Sequence, residues 1–145
     1  MRQLSFSANV RAPVENLWEL LLNRVEHPNE YLPGIEEVTI VERHGDVLVR
    51  ELRGHGLFIK ERVTIDKGKR EIRYLLLEHP LLSGTVTHRV VPLSRQSPVA
   101  PVQLTMVAIW VPRNDEAEGL IVKRMSAAIQ QEILSIKEEA EERSQ

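Results

Sequence analysis

Two hydrophobic periods divide the chain. From Leu4 to Val111 apolar residues mostly return at every second position, the period of a strand with one buried face. From Asp115 onward they return at every third or fourth, the period of an amphipathic helix. Leu4, Phe6, Ala8 and Val10 alternate with polar residues and predict a first strand over 4–11. Val14, Leu17, Trp18, Leu21 and Val25 then follow helical spacing, and Pro28 stops the run. Pro13 suits a first helical position, where its missing N–H is not needed, so the predicted helix spans 13–26. The breaker-rich segment 27–34 leaves room for at most one short second helical turn.

Further strand patterns follow at close spacing, over 35–43, 47–53, 57–66, 70–77, 84–93 and 101–111, which brings the expected total to seven. The turns His44-Gly45-Asp46, Gly54-His55-Gly56 and Lys67-Gly68-Lys69 are short enough for hairpins. The Ser/Pro/Gln segment 94–100 reads as a flexible loop. The C-terminal stripe is Val122, Met125, Ile129, Ile133, Ile136 and Ala140, and it predicts one uninterrupted helix from about 115 to 142. At 1.5 Å per residue that helix is about 40 Å long, against a radius of gyration of about 15 Å for a chain of this size. It must lie across the whole domain. Consecutive short-turn strands give an antiparallel meander whose one face the helices cover, so the predicted class is α+β.

Composition narrows the function classes. The 145 residues are expected to form a single domain, 1–145, able to bury about two-thirds of the surface of the unfolded chain. A formal charge of −2 carries none of the basic excess that nucleic acid or an anionic membrane calls for. The absence of cysteine removes disulfides, thiolate nucleophiles and thiolate metal sites together. The N-terminus lacks the apolar core of a signal peptide, and no apolar run approaches the ~18 residues that cross a bilayer. The expectation is a soluble, cytoplasmic protein without membrane insertion. No P-loop, dinucleotide fingerprint, nucleophile elbow or kinase signature is present, and the histidines have no metal-ligand spacing, so neither a cofactor nor a metal is expected.

The run Ala12-Pro13-Val14-Glu15-Asn16-Leu17-Trp18-Glu19-Leu20-Leu21, followed by Tyr31-Leu32-Pro33-Gly34-Ile35, resembles the opening of the START and birch-pollen-allergen-like superfamily. Polyketide cyclases, lipid-transfer proteins and plant pathogenesis-related ligand binders belong to it. The strand Ile59-Lys60-Glu61-Arg62-Val63 and the short length are most similar to its AtaL-like subgroup of bacteria and fungi. The resemblance implies a helix-grip fold: a seven-stranded antiparallel sheet curled around a long C-terminal helix, two short helices after the first strand, and a ligand cavity between sheet and helix. It implies three possible functions. The first is binding of a small hydrophobic molecule, whether lipid, aromatic or polyketide-like. The second is a cyclase or dehydratase. The third is a protein-interaction domain whose core is filled by its own side chains. Fold alone does not choose among them.

Strand alternation nominates the residues of such a cavity. Leu57, Ile59, Glu61, Val63 and Ile65 share one face of their strand. A carboxylate among aliphatic side chains is desolvated, which favours its protonated form unless a cation or several donors compensate. Glu61 is therefore a candidate acid, base or ligand anchor, with a plain arginine pair or an outward-turning bulge as the alternatives. Arg50 lies between Leu48 and Leu52 on the neighbouring strand and is a reasonable partner, although Val47 and Val49 on the other face leave its direction open. Facing inward, its guanidinium suits a carboxylate or enol oxygen. His88 shares a face with Val86 and Val90, and reads either as an acid, base or donor or as a satisfied core histidine. Tyr74, Met106 and Trp110 fall on apolar faces and, with Ile59, Met125 and Ile129, are expected cavity walls. Tyr31 falls where the superfamily's cavity mouth is expected, which makes it a gating candidate, and Trp18 belongs to the core. His27, His44, His55 and His79 sit at breaks or turns and read as surface or capping residues. In the enzymatic alternative Glu61 and His88 shuttle a proton while Arg50 stabilises an enolate oxygen.

Overall fold

The computed structural model describes residues 2–31, 34–54, 56–93, 101–120 and 124–144. Its strands are β1 (Arg2–Val10), β2 (Ile35–His44), β3 (Val47–Gly54), β4 (Leu57–Asp66), β5 (Glu71–Glu78), β6 (Leu82–Pro92) and β7 (Val102–Pro112). They form one seven-stranded antiparallel sheet in the order β1-β7-β6-β5-β4-β3-β2. From β2 to β7 every pairing joins strands that are consecutive in sequence, as the short turns require. The exception is β1, which lies beside β7 with Arg2 opposite Trp110 and Val10 opposite Val102. The segment after β1, helix α1 (Val14–Glu26) and a 3₁₀ turn at Pro28–Glu30, carries the chain to the far edge, where β2 begins the return.

One face of this curved sheet is apolar because alternation puts it there. Val102, Leu104, Met106, Ala108 and Trp110 of β7 are all buried, and their odd-numbered neighbours are not. Against that face pack Leu17, Leu20, Leu21 and Val25 of α1, and Ile129, Ile133, Ile136 and Ala140 of the C-terminal helix α3 (Ser126–Arg143). Each fully buried aliphatic side chain contributes about 1.5–3 kcal/mol relative to leaving it in water. Polar ties fix α3 at the other end of the sheet: the Arg11 N–H donates to the Glu141 carboxylate at 2.8 Å, and Lys137 Nζ donates to the Asn9 carbonyl at 2.8 Å. Bulges bend the strands at Ile35/Glu37, Ile40/Glu42 and Lys60/Glu61. At Gly84 the backbone has φ of 128°, and a Cβ there would sit 1.9 Å from the Ile109 carbonyl oxygen, so only glycine allows β6 and β7 to pair this closely.

Two local expectations need correcting. Pro13 is not the first helical residue: at ψ of 141° it precedes α1, and its carbonyl accepts from the N–H groups of Asn16 and Leu17. Proline's fixed φ serves equally well one step earlier. The C-terminal helix is also not one uniform α-helix. A six-residue helix, α2 (Asp115–Leu120), comes first, and Arg124–Met125 form a wider π-type turn leading into α3. Ala117 and Ile129 are both buried although twelve residues apart, a spacing that misses one face of an unbroken α-helix by about 120°. The π turn at 124–125 and Gly119, a poor helix former, both lie between them. Leu32, Pro33, His55, Val122 and the loop 94–100 lie outside the described residues.

Candidate functional site

Between the apolar face of the sheet and α3 lies a partly open cavity of about 250 Å³. The residues anticipated as its wall, Arg50, Ile59, Glu61, Tyr74, His88, Met106, Trp110, Met125 and Ile129, all line it. They come from β3, β4, β5, β6, β7 and the start of α3, so six segments distant in sequence meet around one volume. Leu52, Leu76, Leu82 and Val86 complete a wall that is mostly apolar.

Arg50 faces inward. It is directly opposite Glu61 in the β3–β4 register, and its Nε donates to Glu61 Oε1 at 3.0 Å, with one terminal nitrogen also at 3.0 Å. The other terminal nitrogen donates to the carbonyls of Val25 at 2.8 Å and Arg24 at 3.3 Å, the carbonyl-rich C-terminal end of α1. The guanidinium also lies 5.0 Å from the centre of the Tyr74 ring. Glu61 keeps its inward direction despite the bulge beside it, and the compensating cation is Arg50.

His88 is 4% exposed and has a different character. Neither ring nitrogen has a hydrogen-bond partner among the described residues, and the ring leans on Tyr74 at 5.2 Å. Burial, with Arg24 and Arg50 adding repulsion, lowers its pKa to about 3, so the imidazole is neutral at physiological pH. Burial likewise pushes the Tyr74 hydroxyl up. His79 caps the β5–β6 turn, its Nδ1 accepting from the N–H groups of Leu81 and Leu82 at 3.0 and 3.1 Å, and it also lines the cavity. Burial and then Arg113 lower its pKa. His27 and His44 are exposed, as their positions at breaks predict.

Three further polar groups reach the cavity. Tyr31, the gating candidate, lines it and accepts a hydrogen bond from Asn23 through its hydroxyl. The Arg24 guanidinium lies 4.6 Å from the centre of the Tyr31 ring and touches Ser135 and Glu139 of α3 at 3.5 Å, while its Nε has no partner among the described residues. Glu132 of α3 also lines the cavity; burial raises its pKa, Arg24 and Arg50 oppose that, and Glu61 reinforces it. Among the described residues no cluster of histidine, aspartate or glutamate has the makings of a metal site, and no helix is long and apolar enough to cross a membrane.

The sequence profile of the AtaL family, described as acetylaranotin biosynthesis cluster protein L, matches residues 7–138. The chain belongs to this family. Solved structures show that the chain has a helix-grip fold. It superimposes on the Zhui aromatase/cyclase from Streptomyces sp. R1128 with a TM-score of 0.86 at 23% identity, covering 99% of this chain and 96% of that one. A norcoclaurine synthase from Thalictrum flavum gives 0.76 at 13% identity over 99% and 96%. A START superfamily protein from Mycobacterium smegmatis gives 0.72 at 15% over 97% of each. No curated protein sequence matches the chain.

Sequence reasoning passed over Arg24 and Glu132 in this AtaL chain. Glu132 was within reach of the pattern, because 125, 129, 132 and 136 is as good a helical stripe as 125, 129, 133 and 136, and a carboxylate on it has to face the sheet. Arg24 had no such signal. Its position in the last turn of α1 reads as an ordinary basic complement to the helix dipole.

Proposed function

We propose that this protein binds a small, predominantly hydrophobic molecule in the cavity between the sheet and α3. The observation that carries this reading is a cavity of about 250 Å³ with mostly apolar walls and a few convergent polar side chains, the usual composition of a small-molecule site. The same cavity argues against an interaction domain with a filled core. Native mass spectrometry of the protein purified from its host, followed by denaturing extraction, tests the reading. A stoichiometric small molecule released on denaturation supports it, and failure of every apolar probe to bind the empty protein removes it.

One observation favours a second reading, that of an enzyme of the cyclase or dehydratase type. His88 and Glu132 line one cavity, where burial favours the neutral form of each, so a proton acceptor and a proton donor share the same volume. The aromatase/cyclase likeness agrees with it at the level of fold. In this reading Glu132 takes the proton-shuttling role first given to Glu61, because Glu61 is committed to Arg50, which is itself bonded to the end of α1. Turnover of a linear poly-β-ketone thioester, followed by loss of water in the product mass, separates the two assignments. Glu132→Gln is expected to abolish turnover with the fold intact. Full turnover in that variant excludes Glu132 as the acid.

A further inference from the structure

The cavity states how large its occupant is and which polar groups it lacks. A cavity of about 150 Å³ lined by aliphatic and aromatic side chains takes up benzene, so 250 Å³ corresponds to about ten non-hydrogen atoms, one or two fused rings. The charges around it cancel. Arg50 is paired with Glu61 at 3.0 Å, and Arg24 with Glu139 at 3.5 Å. What remains is a set of buried polar atoms with no partner among the described residues: both nitrogens of His88 and Nε of Arg24. The neutral imidazole contributes one donor and one acceptor, and Arg24 a second donor.

No protein group is positioned to answer them. His88 sits in the middle of β6 with Ile72 of β5 and Met106 of β7 as its register neighbours, and the Tyr74 ring closes one side. His88 lines the cavity, and a small turn of its ring opens a nitrogen to an occupant. A carbonyl answers only the donors and an ammonium only the acceptor, whereas a hydroxyl has one donor and two acceptor sites and serves either. A charged ligand finds no counter-charge: Arg24 and Arg50 are already paired with carboxylates, and burial disfavours the ionised Glu132 that a cation would need.

We propose that the cavity selects an uncharged one- or two-ring molecule of about ten non-hydrogen atoms bearing a hydroxyl group that pairs with one of the orphan nitrogens of His88. This rests on the binding reading above and adds size, charge and polar group to it. His88 is then a specificity determinant, because a ligand lacking the hydroxyl leaves it unsatisfied in the complex.

Isothermal titration at pH 7 with naphthalene, β-naphthol, β-naphthoate and hydroxypyrene tests all three features. The expected result is β-naphthol binding at least about tenfold more tightly than naphthalene or β-naphthoate, with no detectable hydroxypyrene binding. In His88→Leu the preference for naphthol over naphthalene should collapse toward unity. In His88→Gln, which keeps a donor and an acceptor, part of it should survive, an outcome that a purely structural role for His88 does not produce. Equal affinity for naphthol and naphthalene in the wild type overturns the polar-group inference and leaves the binding reading standing, whether or not the variants fold. Tighter binding of hydroxypyrene than of naphthol overturns the size limit. If none of the four binds, the binding reading falls with the inference.

Discussion

Arg50 joins three elements through one guanidinium: β4 through Glu61, the end of α1 through the Val25 and Arg24 carbonyls, and β5 through the Tyr74 ring. Removing it leaves a carboxylate buried without its cation and two helix-terminal carbonyls without a donor. Arg50→Met is therefore expected to destabilise by about 3–5 kcal/mol in urea unfolding. The double variant Arg50→Met/Glu61→Leu should recover at least half of that loss, because no charge is then stranded. A double variant no more stable than the single one would show that the bonds to α1, not the ion pair, dominate. Alternation placed Glu61 on the inner face correctly, and register made Arg50 its partner. The direction of Arg50 was not legible, since both faces of β3 carry two aliphatic residues and only the tertiary approach of α1 decides between them. His88 makes the clearest pH statement. Its pKa is near 6.5 when unfolded and about 3 when folded, so between these values the unfolded chain binds a proton that the folded one does not. Its contribution is fully present above pH 6.5 and is lost as pH falls through that window. Between pH 7 and pH 4 the wild type should lose about 3 kcal/mol more than His88→Gln, measured by denaturant unfolding at both values. Glu132 acts in the opposite sense, its contribution being lost as pH rises above the ordinary carboxylate range, but it is common to both proteins and cancels. Equal pH dependence in the two proteins would mean that His88 is hydrated or paired in solution.

At the scale of elements, strand period and turn spacing carried nearly all the topology. The expected strand ends lie within two residues of those observed, because each strand here has one buried face and short turns fix the neighbour. The close approach of β6 to β7 was less legible. Nothing in the sequence around Gly84 distinguishes a glycine tolerated in a strand from one that is required there. The structure distinguishes them, and the contrast is measurable. Gly84→Ala places a Cβ 1.9 Å from a backbone oxygen at a φ of 128°, whereas Gly45→Ala, at a φ of 59° in the β2–β3 turn, meets nothing within 4 Å. The turn substitution should cost about 1 kcal/mol, and the strand substitution more than about 3 kcal/mol or the folded state itself. Similar thermal midpoints for the two would mean that β6 and β7 separate at little cost. The C-terminal helix taught the converse lesson. Its apolar stripe was plain, but a helical period read from Met125 onward is blind to a one-residue change of phase between Ala117 and Ile129, because either side of the change is internally regular.

The molecule as a whole keeps a hole where it could have a core. At about 24 cal/mol per Å³, packing 250 Å³ with apolar side chains would contribute at most on the order of 6 kcal/mol, comparable to the net stability of many domains. Larger side chains at positions such as Val86, half-buried on the cavity wall, would close part of it. Persistence of the hole is understandable if a ligand supplies the missing contacts, which ties stability to occupancy. Val86→Phe is accordingly expected to raise the melting temperature of the empty protein by a few degrees while abolishing the response to ligand. In the wild type, a ligand at one hundred times its dissociation constant adds about 2.7 kcal/mol, or roughly 8 °C for a chain of this length. Thermal melts of both proteins, with and without β-naphthol, put the argument at risk in two separate places. A less stable Val86→Phe would mean that the space is already tightly constrained by its walls. An undiminished ligand shift in that variant would put the binding site elsewhere on the molecule.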